Sequence, residues 1–263
     1  MTKRLEGDVA LVTGASRGIG RGVAVGLGEA GAVVYVTGRT VDDITATADL
    51  VNAAGGTGIA ITCDHFDDAN VAAVFAEIIR EQDKLDLLVN NATALPEQRF
   101  LFGPTPFWDV PMDVWDGLFD VGVRSYFVAA QHAARVMLAQ GRGLIVNVSS
   151  AGARHKFAIA PYGVAKAAVD RLTEDMAAEL TGSGVVAVSV WPPPTSTEKQ
   201  LANVEADDDP STWSAPVFNG RVVAALAKDP NLAAKNGKAL RMRDLATEYG
   251  VKDLLGQRPG RPA

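Results

Sequence analysis

Tyr162 and Lys166 stand four residues apart in Pro161-Tyr162-Gly163-Val164-Ala165-Lys166. On a helix that spacing puts a phenol and an ammonium on one face, and Pro161 suits a helix start. A free phenol, with a pKa near ~10, is a poor base at neutral pH. An ammonium beside it favours the phenolate, so Lys166 is expected to lower the pKa of Tyr162. A tyrosine so placed can give a proton to a carbonyl oxygen or take one from an alcohol, help worth about 10²–10⁴ in rate. The spacing alone is common on exposed helix faces; its meaning depends on what lies upstream.

Upstream, Thr13-Gly14-Ala15-Ser16-Arg17-Gly18-Ile19-Gly20 follows the apolar run Asp8-Val9-Ala10-Leu11-Val12 and precedes a helical pattern beginning at Ile19. Strand, glycine turn and helix in that order form a dinucleotide-binding opening. Gly14 permits the sharp turn, while Gly18 and Gly20 let backbone N–H groups reach a pyrophosphate at the helix N-terminus. A second strand, Ala32-Val33-Val34-Tyr35-Val36-Thr37, ends in Gly38-Arg39-Thr40, with no carboxylate before Asp42. A carboxylate there would bond the ribose 2′-hydroxyl and repel a 2′-phosphate. Arg17 and Arg39 instead offer two guanidinium groups to one phosphate. The expected cofactor is therefore NADP(H), with NAD(H) as the alternative.

Size and charge bound what can hold these groups. The 263 residues suit one α/β domain, and the net charge of −6 disfavours nucleic acid or an anionic membrane as main partner. No apolar run approaches the ~20 residues of a membrane span, and the first residues lack an apolar signal core. Cys63, the single cysteine, excludes an intramolecular disulfide and reads as a small buried hydrophobe. Cytoplasm is the expected compartment.

Strands are expected near 8–13, 32–37, 58–62, 85–89, 143–148 and 185–190, with helices between them. This alternation predicts a doubly wound parallel sheet covered on both faces, a Rossmann fold forming a single domain over 1–263. Two regions break the rhythm. Region 94–114 carries four prolines with Phe100, Phe102, Phe107 and Trp108; region 191–218 carries Pro192-Pro193-Pro194 and the acidic run Asp207-Asp208-Asp209. Both follow strands, so both are expected over the carboxyl edge of the sheet, where ligands bind. The aromatics read equally as loop packing or as a substrate wall; the acidic run reads as a solvated loop, and 259–263 as a mobile tail.

Taken in order, the glycine loop, Asn90-Asn91-Ala92, Val148-Ser149-Ser150 and Tyr162 with Lys166 resemble the short-chain dehydrogenase/reductase family from about Gly7 to Leu255. Segments around 13–22, 34–39, 161–164, 237–240 and 244–246 are similar to one of its subgroups. The resemblance implies hydride transfer between a nicotinamide cofactor and a small carbonyl or alcohol substrate, by a homodimer or homotetramer that uses no metal. It implies Asp64 on the adenine amino group and Asn90 and Ala92 on the ribose side. Lys166 would hold the nicotinamide ribose, and Thr197 the carboxamide or diphosphate. A serine would join Tyr162 and Lys166 at the reacting oxygen. The family's usual spacing of 13 residues before the tyrosine points to Ser149, but matching the strand ends points to Ser150. A strand slip would turn every side chain over, so Ser150 is expected, with Ser149 as runner-up. Four departures stand out: Thr93 replaces the glycine of NNAG, Pro193 replaces the glycine of Pro-Gly, the serine–tyrosine loop has an unusual length, and Gly122 replaces an asparagine that holds a relay water. An opened helix turn at Gly122 could offer backbone carbonyls to that water instead. The competing reading is a non-catalytic, NADP(H)-binding redox sensor. The substrate itself is not legible.

Overall fold

The computed structural model describes residues 4–204 and 208–253; Asp207 and the stretch 259–263 lie outside them. Among the described residues seven strands run in parallel: β1 (Val9–Val12), β2 (Val33–Gly38), β3 (Thr57–Thr62), β4 (Leu87–Asn90), β5 (Gly143–Val148), β6 (Val185–Trp191) and β7 (Ala239–Arg241). Their order is β3-β2-β1-β4-β5-β6-β7. The chain leaves β1 toward β2 and β3, then returns to the other side of β1 with β4. The crevice between β1 and β4 is therefore the topological switch point where doubly wound sheets bind nucleotides.

The strands alternate faces as the period-2 pleat requires. Ala10 and Val12 of β1 join a buried cluster with Val23, Leu27, Phe218 and Val222. Val9 and Leu11 enter the opposite cluster, with Val71, Phe75, Ala133 and Met137. The first cluster is closed by α1 (Gly18–Glu29), α2 (Val41–Ala53), α6 (Pro216–Leu226) and α7 (Met242–Tyr249). The second is closed by α3 (Asp68–Gln82), α4 (Ser125–Gln140) and α5 (Ala160–Glu179). Helix α1 is rich in glycine, which costs up to ~1 kcal/mol per residue inside a helix. Close packing offsets that cost: a Cβ on Gly26 would come within 2.6 Å of the Gly220 carbonyl carbon in α6. Glu29 and Arg221 clamp the same pair of helices, at 2.6 and 2.7 Å.

The six expected strands are present with ends moved by one or two residues, and the short edge strand β7 was not foreseen. Three residues are too few for a hydrophobic period to show. The helix read through Gly122 also differs. It runs as Met112–Asp116, then in π-helical winding over Gly117–Arg124, before continuing as α4. Within the wider turn the Ser125 N–H donates to the Asp120 carbonyl, five residues back. The irregular regions follow β4 and β6 at their carboxyl ends and, among the described residues, hold short helices at Gln98–Leu101, Phe107–Asp109, Glu198–Leu201 and Pro210–Thr212.

Candidate active site

The glycine loop is shaped by contacts a side chain would destroy. Gly14 has φ +63, and a Cβ there would lie 2.6 Å from the Ala92 Cα. A Cβ on Gly20 would lie 2.4 Å from both Asn91 Nδ2 and the Gly14 carbonyl. The loop is tied to the end of β4 across the switch point. Thr13 Oγ1 accepts the N–H groups of Asn91 and Ala92 at 2.9 and 3.1 Å, and Asn91 Nδ2 donates to the Thr13 and Gly14 carbonyls, both at 3.0 Å. Asn91 thus fixes the loop, and Ala92 packs on it.

Helix α1 begins at Gly18 with neither a side-chain cap nor an acidic residue in its first turn. The anion it attracts comes from far along the chain. The Gly18 N–H donates to Glu198 Oε2 at 2.9 Å, and Arg21 Nη1 meets Glu198 Oε1 at 3.1 Å. Arg21 is held by Thr47 Oγ1 at 3.2 Å and by the Ser16 carbonyl. Thr197 lies over the same loop, its Cγ2 3.4 Å from where a Gly18 Cβ would be. A carboxylate already seated on these donors shows that the cradle suits anionic oxygens, so the residues fit a dinucleotide diphosphate.

Around the cradle, the Ser16 Oγ packs against Gly38, where a Cβ would come within 2.1 Å. That contact brings the ends of β1 and β2 together. Arg17 and Arg39 are both exposed there, and no described residue pairs with either. Ile19 is half-buried against the core. Asp64 lies two residues beyond β3, where its Oδ1 accepts the Phe66 N–H at 3.1 Å. Cys63 beside it is fully buried, and burial, with Asp64 and Asp67 nearby, pushes its thiol up to about 12. Asn90 is enclosed: its Nδ2 donates to Asn147 Oδ1 at 2.9 Å and to the Tyr126 carbonyl at 3.2 Å. Its side chain faces the interior of the sheet rather than the crevice.

At the other end of the crevice, Tyr162, Lys166 and the two serines converge. The two hydroxyls diverge in direction. The Ser150–Gly152 turn packs against Tyr162: Ser150 Oγ accepts the Gly152 N–H at 3.0 Å, and a Cβ on Gly152 would lie 2.9 Å from the Tyr162 ring. Ser149 is buried and donates to the Lys166 carbonyl at 3.1 Å. The Lys166 ammonium donates to the Val148 carbonyl at 2.9 Å and lies 5.9 Å from the centre of the Tyr162 ring. The expectation that Lys166 lowers the phenol is not met. Burial of Tyr162 raises it, and only the bond to Ser150 opposes that rise. Burial lowers Lys166 itself to about 8, with Asp170 opposing.

Aromatic rings continue outward from the phenol. Phe157 lies 6.2 Å from Tyr162 and stacks on Phe102 at 6.3 Å. Phe100 packs with Leu101, Leu118 and Ile159, whereas Phe107 and Trp108 are largely exposed. The aromatics of 94–114 thus divide between loop packing and open surface. Two departures from the family pattern meet in space: a Cβ on Gly122 would stand 3.6 Å from Thr93 Oγ1.

Sequence reading missed Arg21, Glu198 and Asp170. Arg21 and Glu198 carry no motif signal, because their partners lie 177 residues apart. Asp170 could have been found: it follows Lys166 by one helical turn, on the face that must be buried.

The model for short chain dehydrogenase matches residues 8–208. The chain belongs to the short-chain dehydrogenase/reductase family. It is 42% identical over 271 residues to dehydrogenase/reductase SDR family member 1 of Mus musculus, spanning 98% of this chain and 86% of that protein. The Homo sapiens protein of the same name is 39% identical over 270 residues, with the same coverage. These are the subgroup that the C-terminal and glycine-loop segments resemble. Among solved structures, a 7α-hydroxysteroid dehydrogenase complexed with NADH and 7-oxo glycochenodeoxycholic acid has a TM-score of 0.80 at 27% identity, covering 91% of this chain and 94% of the other. Membership makes the chain an oxidoreductase that binds NAD(P)(H) and acts on alcohol or carbonyl groups. Among the described residues, no helix is long and apolar enough to cross a membrane.

Proposed function

We propose that this oxidoreductase uses NADP(H) to interconvert a carbonyl and a secondary alcohol, with Tyr162 as general acid and base. The observation that carries the reading is the Ser150–Gly152 turn packed against Tyr162, on the helix that also carries Lys166, at the edge of a crevice whose other end is an anion cradle. Bound cofactor supplies or accepts the hydride. The chain's own residues do the rest. Gly14, Ser16, Gly18, Ile19 and Gly20 shape the diphosphate cradle, and the Glu198 carboxylate leaves it when the cofactor enters. Arg17 and Arg39, both exposed and unpaired by described residues, would take a 2′-phosphate. Asp64 bonds the adenine, the backbone at Asn90 and Ala92 lines the ribose, and Thr197 closes over the diphosphate.

At the reacting oxygen, Ser150 orients the substrate and Tyr162 moves the proton. The raised phenol favours donation, the direction of carbonyl reduction. Lys166 bonds the nicotinamide ribose and replenishes the proton. Phe157 and Phe102 beside Tyr162 support an apolar substrate. Assembly as a homodimer or homotetramer and a cytoplasmic location belong to the same proposal, as does a single domain over 1–263. The relative solved with NADH shows that the fold also accepts the unphosphorylated cofactor, so the arginines alone carry the NADP(H) preference.

The test is a screen for NADPH oxidation over varied ketones and aldehydes, repeated with Tyr162→Phe. Turnover by the native protein, lost in the variant while NADPH still binds, is the expected result. Undiminished turnover by Tyr162→Phe defeats the mechanism. Binding without turnover on any carbonyl would leave the redox-sensor reading.

A further inference from the structure

A row of polar residues crosses the sheet beneath α5. Asn90 of β4 is paired in register with Asn147 of β5, and Asn147 with Ser189 of β6. All three are fully buried within otherwise apolar strands. Asn147 Nδ2 donates to Thr173 Oγ1 at 2.9 Å, and Ser189 Oγ donates to Asp170 Oδ1 at 2.7 Å. The row ends in a carboxylate. Asp170 is only 7% exposed.

A buried carboxylate is expensive unless donors and an opposite charge compensate it. Three features do so here. Ser189 supplies one donor. Trp191, two residues along β6 and therefore on the same face, supplies its indole N–H to both oxygens at 3.2 and 3.3 Å. The third is Lys166, one helical turn before Asp170 on the same face. Helical side chains lean toward the N-terminus, so a residue at i+4 covers the turn carrying residue i. Lys166 is itself 6% exposed, and the oxygen bonded to its ammonium is the neutral Val148 carbonyl. Tyr162 and Tyr126 present their rings at 5.9 Å each, and Ser149 bonds its backbone. Arg154 lies 5.8 Å over the face of the Trp191 ring, whose edge N–H is the one bonded to Asp170.

We propose that Asp170 is a positioning residue for the reaction: a carboxylate fixed by Trp191 and Ser189 beneath Lys166, which keeps the lysine in its ammonium form inside the closed site. A second consequence concerns geometry. Trp191 is the last residue of β6, so the same carboxylate anchors α5 to the strand that leads into region 191–218. The proposal rests on the functional reading above for its catalytic consequence, but the charge state of Lys166 does not.

The test follows the Lys166 ammonium by NMR in lysine-labelled, cofactor-free protein, with Lys166→Gln to assign the signal. Asp170→Asn keeps the shape and removes the charge. It should move the Lys166 titration about one pH unit lower, the scale of a single opposite charge at this range. Asp170→Glu should leave it near its native position. If the enzyme reduces carbonyls, the limb of its pH–rate profile that belongs to Lys166 should move equally in Asp170→Asn, about tenfold in rate on that limb. A purely structural Asp170 would lower Tm and rate at every pH without moving the titration, and an unmoved titration in folded Asp170→Asn overturns the proposal. Should that variant not fold, the native protein decides: carboxyl-labelled Asp170 must carry its negative charge at pH 7, and a neutral Asp170 there overturns the proposal too. If no carbonyl is turned over, the functional reading fails while the titration still judges Asp170.

Discussion

Replacing Glu198 with glutamine should make this protein bind its cofactor more tightly. The carboxylate sits on the donors a diphosphate needs, 2.9 Å from the Gly18 nitrogen and 3.1 Å from Arg21 Nη1. Its side chain is 53% exposed, so the interaction is discounted for solvent. An exposed ion pair contributes about 0.2–1 kcal/mol, and a carboxylate at a helix N-terminus about 0.3–1 kcal/mol. Together they set a cost near 1 kcal/mol for a ligand that must displace Glu198, or about fivefold in Kd. Glutamine keeps the length and still accepts the Gly18 N–H, so only the charge is lost. Fluorescence titration with NADPH, and with inorganic pyrophosphate as competitor, reads the effect on both ligands. The Kd of each should fall about fivefold at low salt, and the gain should shrink near 0.5 M salt as screening grows. The free variant should melt slightly lower, because the first turn of α1 has lost its charged partner. An unchanged Kd would show that Glu198 does not share the cradle with the cofactor, and a weaker one that it serves as a ligand rather than a competitor.

Ser150→Ala should cost about a hundredfold in turnover, the loss expected for one positioned donor at the reacting oxygen, while Ser149→Ala should cost about 1 kcal/mol of stability through its bond to the Lys166 carbonyl. Steady-state rates and thermal melts separate the two, and a larger loss of turnover in Ser149→Ala would reverse the assignment. Arg39→Ala should weaken NADPH binding roughly five- to tenfold, with little effect on NADH, since only the phosphorylated cofactor meets a guanidinium there; equal losses would remove the basis for NADP(H). His65 is buried against Thr37 Oγ1 at 3.0 Å, and burial lowers it from 6.5 to about 4, against a smaller opposing pull from Asp64. Its folded pKa lies below the unfolded one, so its contribution is complete above pH 6.5 and is lost as pH falls toward 4. At pH 5 that is about 2 kcal/mol. Urea unfolding of His65→Gln should show a shallower loss of stability from pH 7 to 5 than the native protein, and identical slopes would show that His65 is not the acid-sensitive group.

What the sequence made legible follows the length scale of each interaction. The six longer strands and the helix carrying Tyr162 and Lys166 show because hydrophobic period and local spacing are properties of neighbours in the chain. The glycine loop shows for the same reason, since Gly14 and Gly20 must be bare for contacts set by one tight turn and the adjacent end of β4. The choice of Ser150 over Ser149 rested on strand register; the two hydroxyls are held differently, Ser150 by the Gly152 N–H and Ser149 at the backbone of α5. Charge states were less legible, because they depend on burial that no spacing reports. The phenol was read from its neighbour Lys166 alone, yet enclosure acts on both groups at once, raising Tyr162 and lowering Lys166.

The same reasoning bears on how the site stays assembled without the asparagine at position 122. The departures at Thr93 and Gly122 look independent in the sequence, 29 positions apart by their numbers. In the fold one residue's hydroxyl lies 3.6 Å from the place where the other's Cβ would be. Thr93 stands beside the space that Gly122 leaves bare, so the two positions are expected to be coupled. The π-helical winding over Gly117–Arg124 falls in the same place, and a wider turn there is expected to offer a backbone oxygen to a water. In that case the relay expected of a side chain would run over main chain and the Thr93 hydroxyl. Thr93→Gly alone and Gly122→Asn alone should each disturb turnover, and the two together should restore it. A double variant no better than the worse single one would show that the two positions are not coupled.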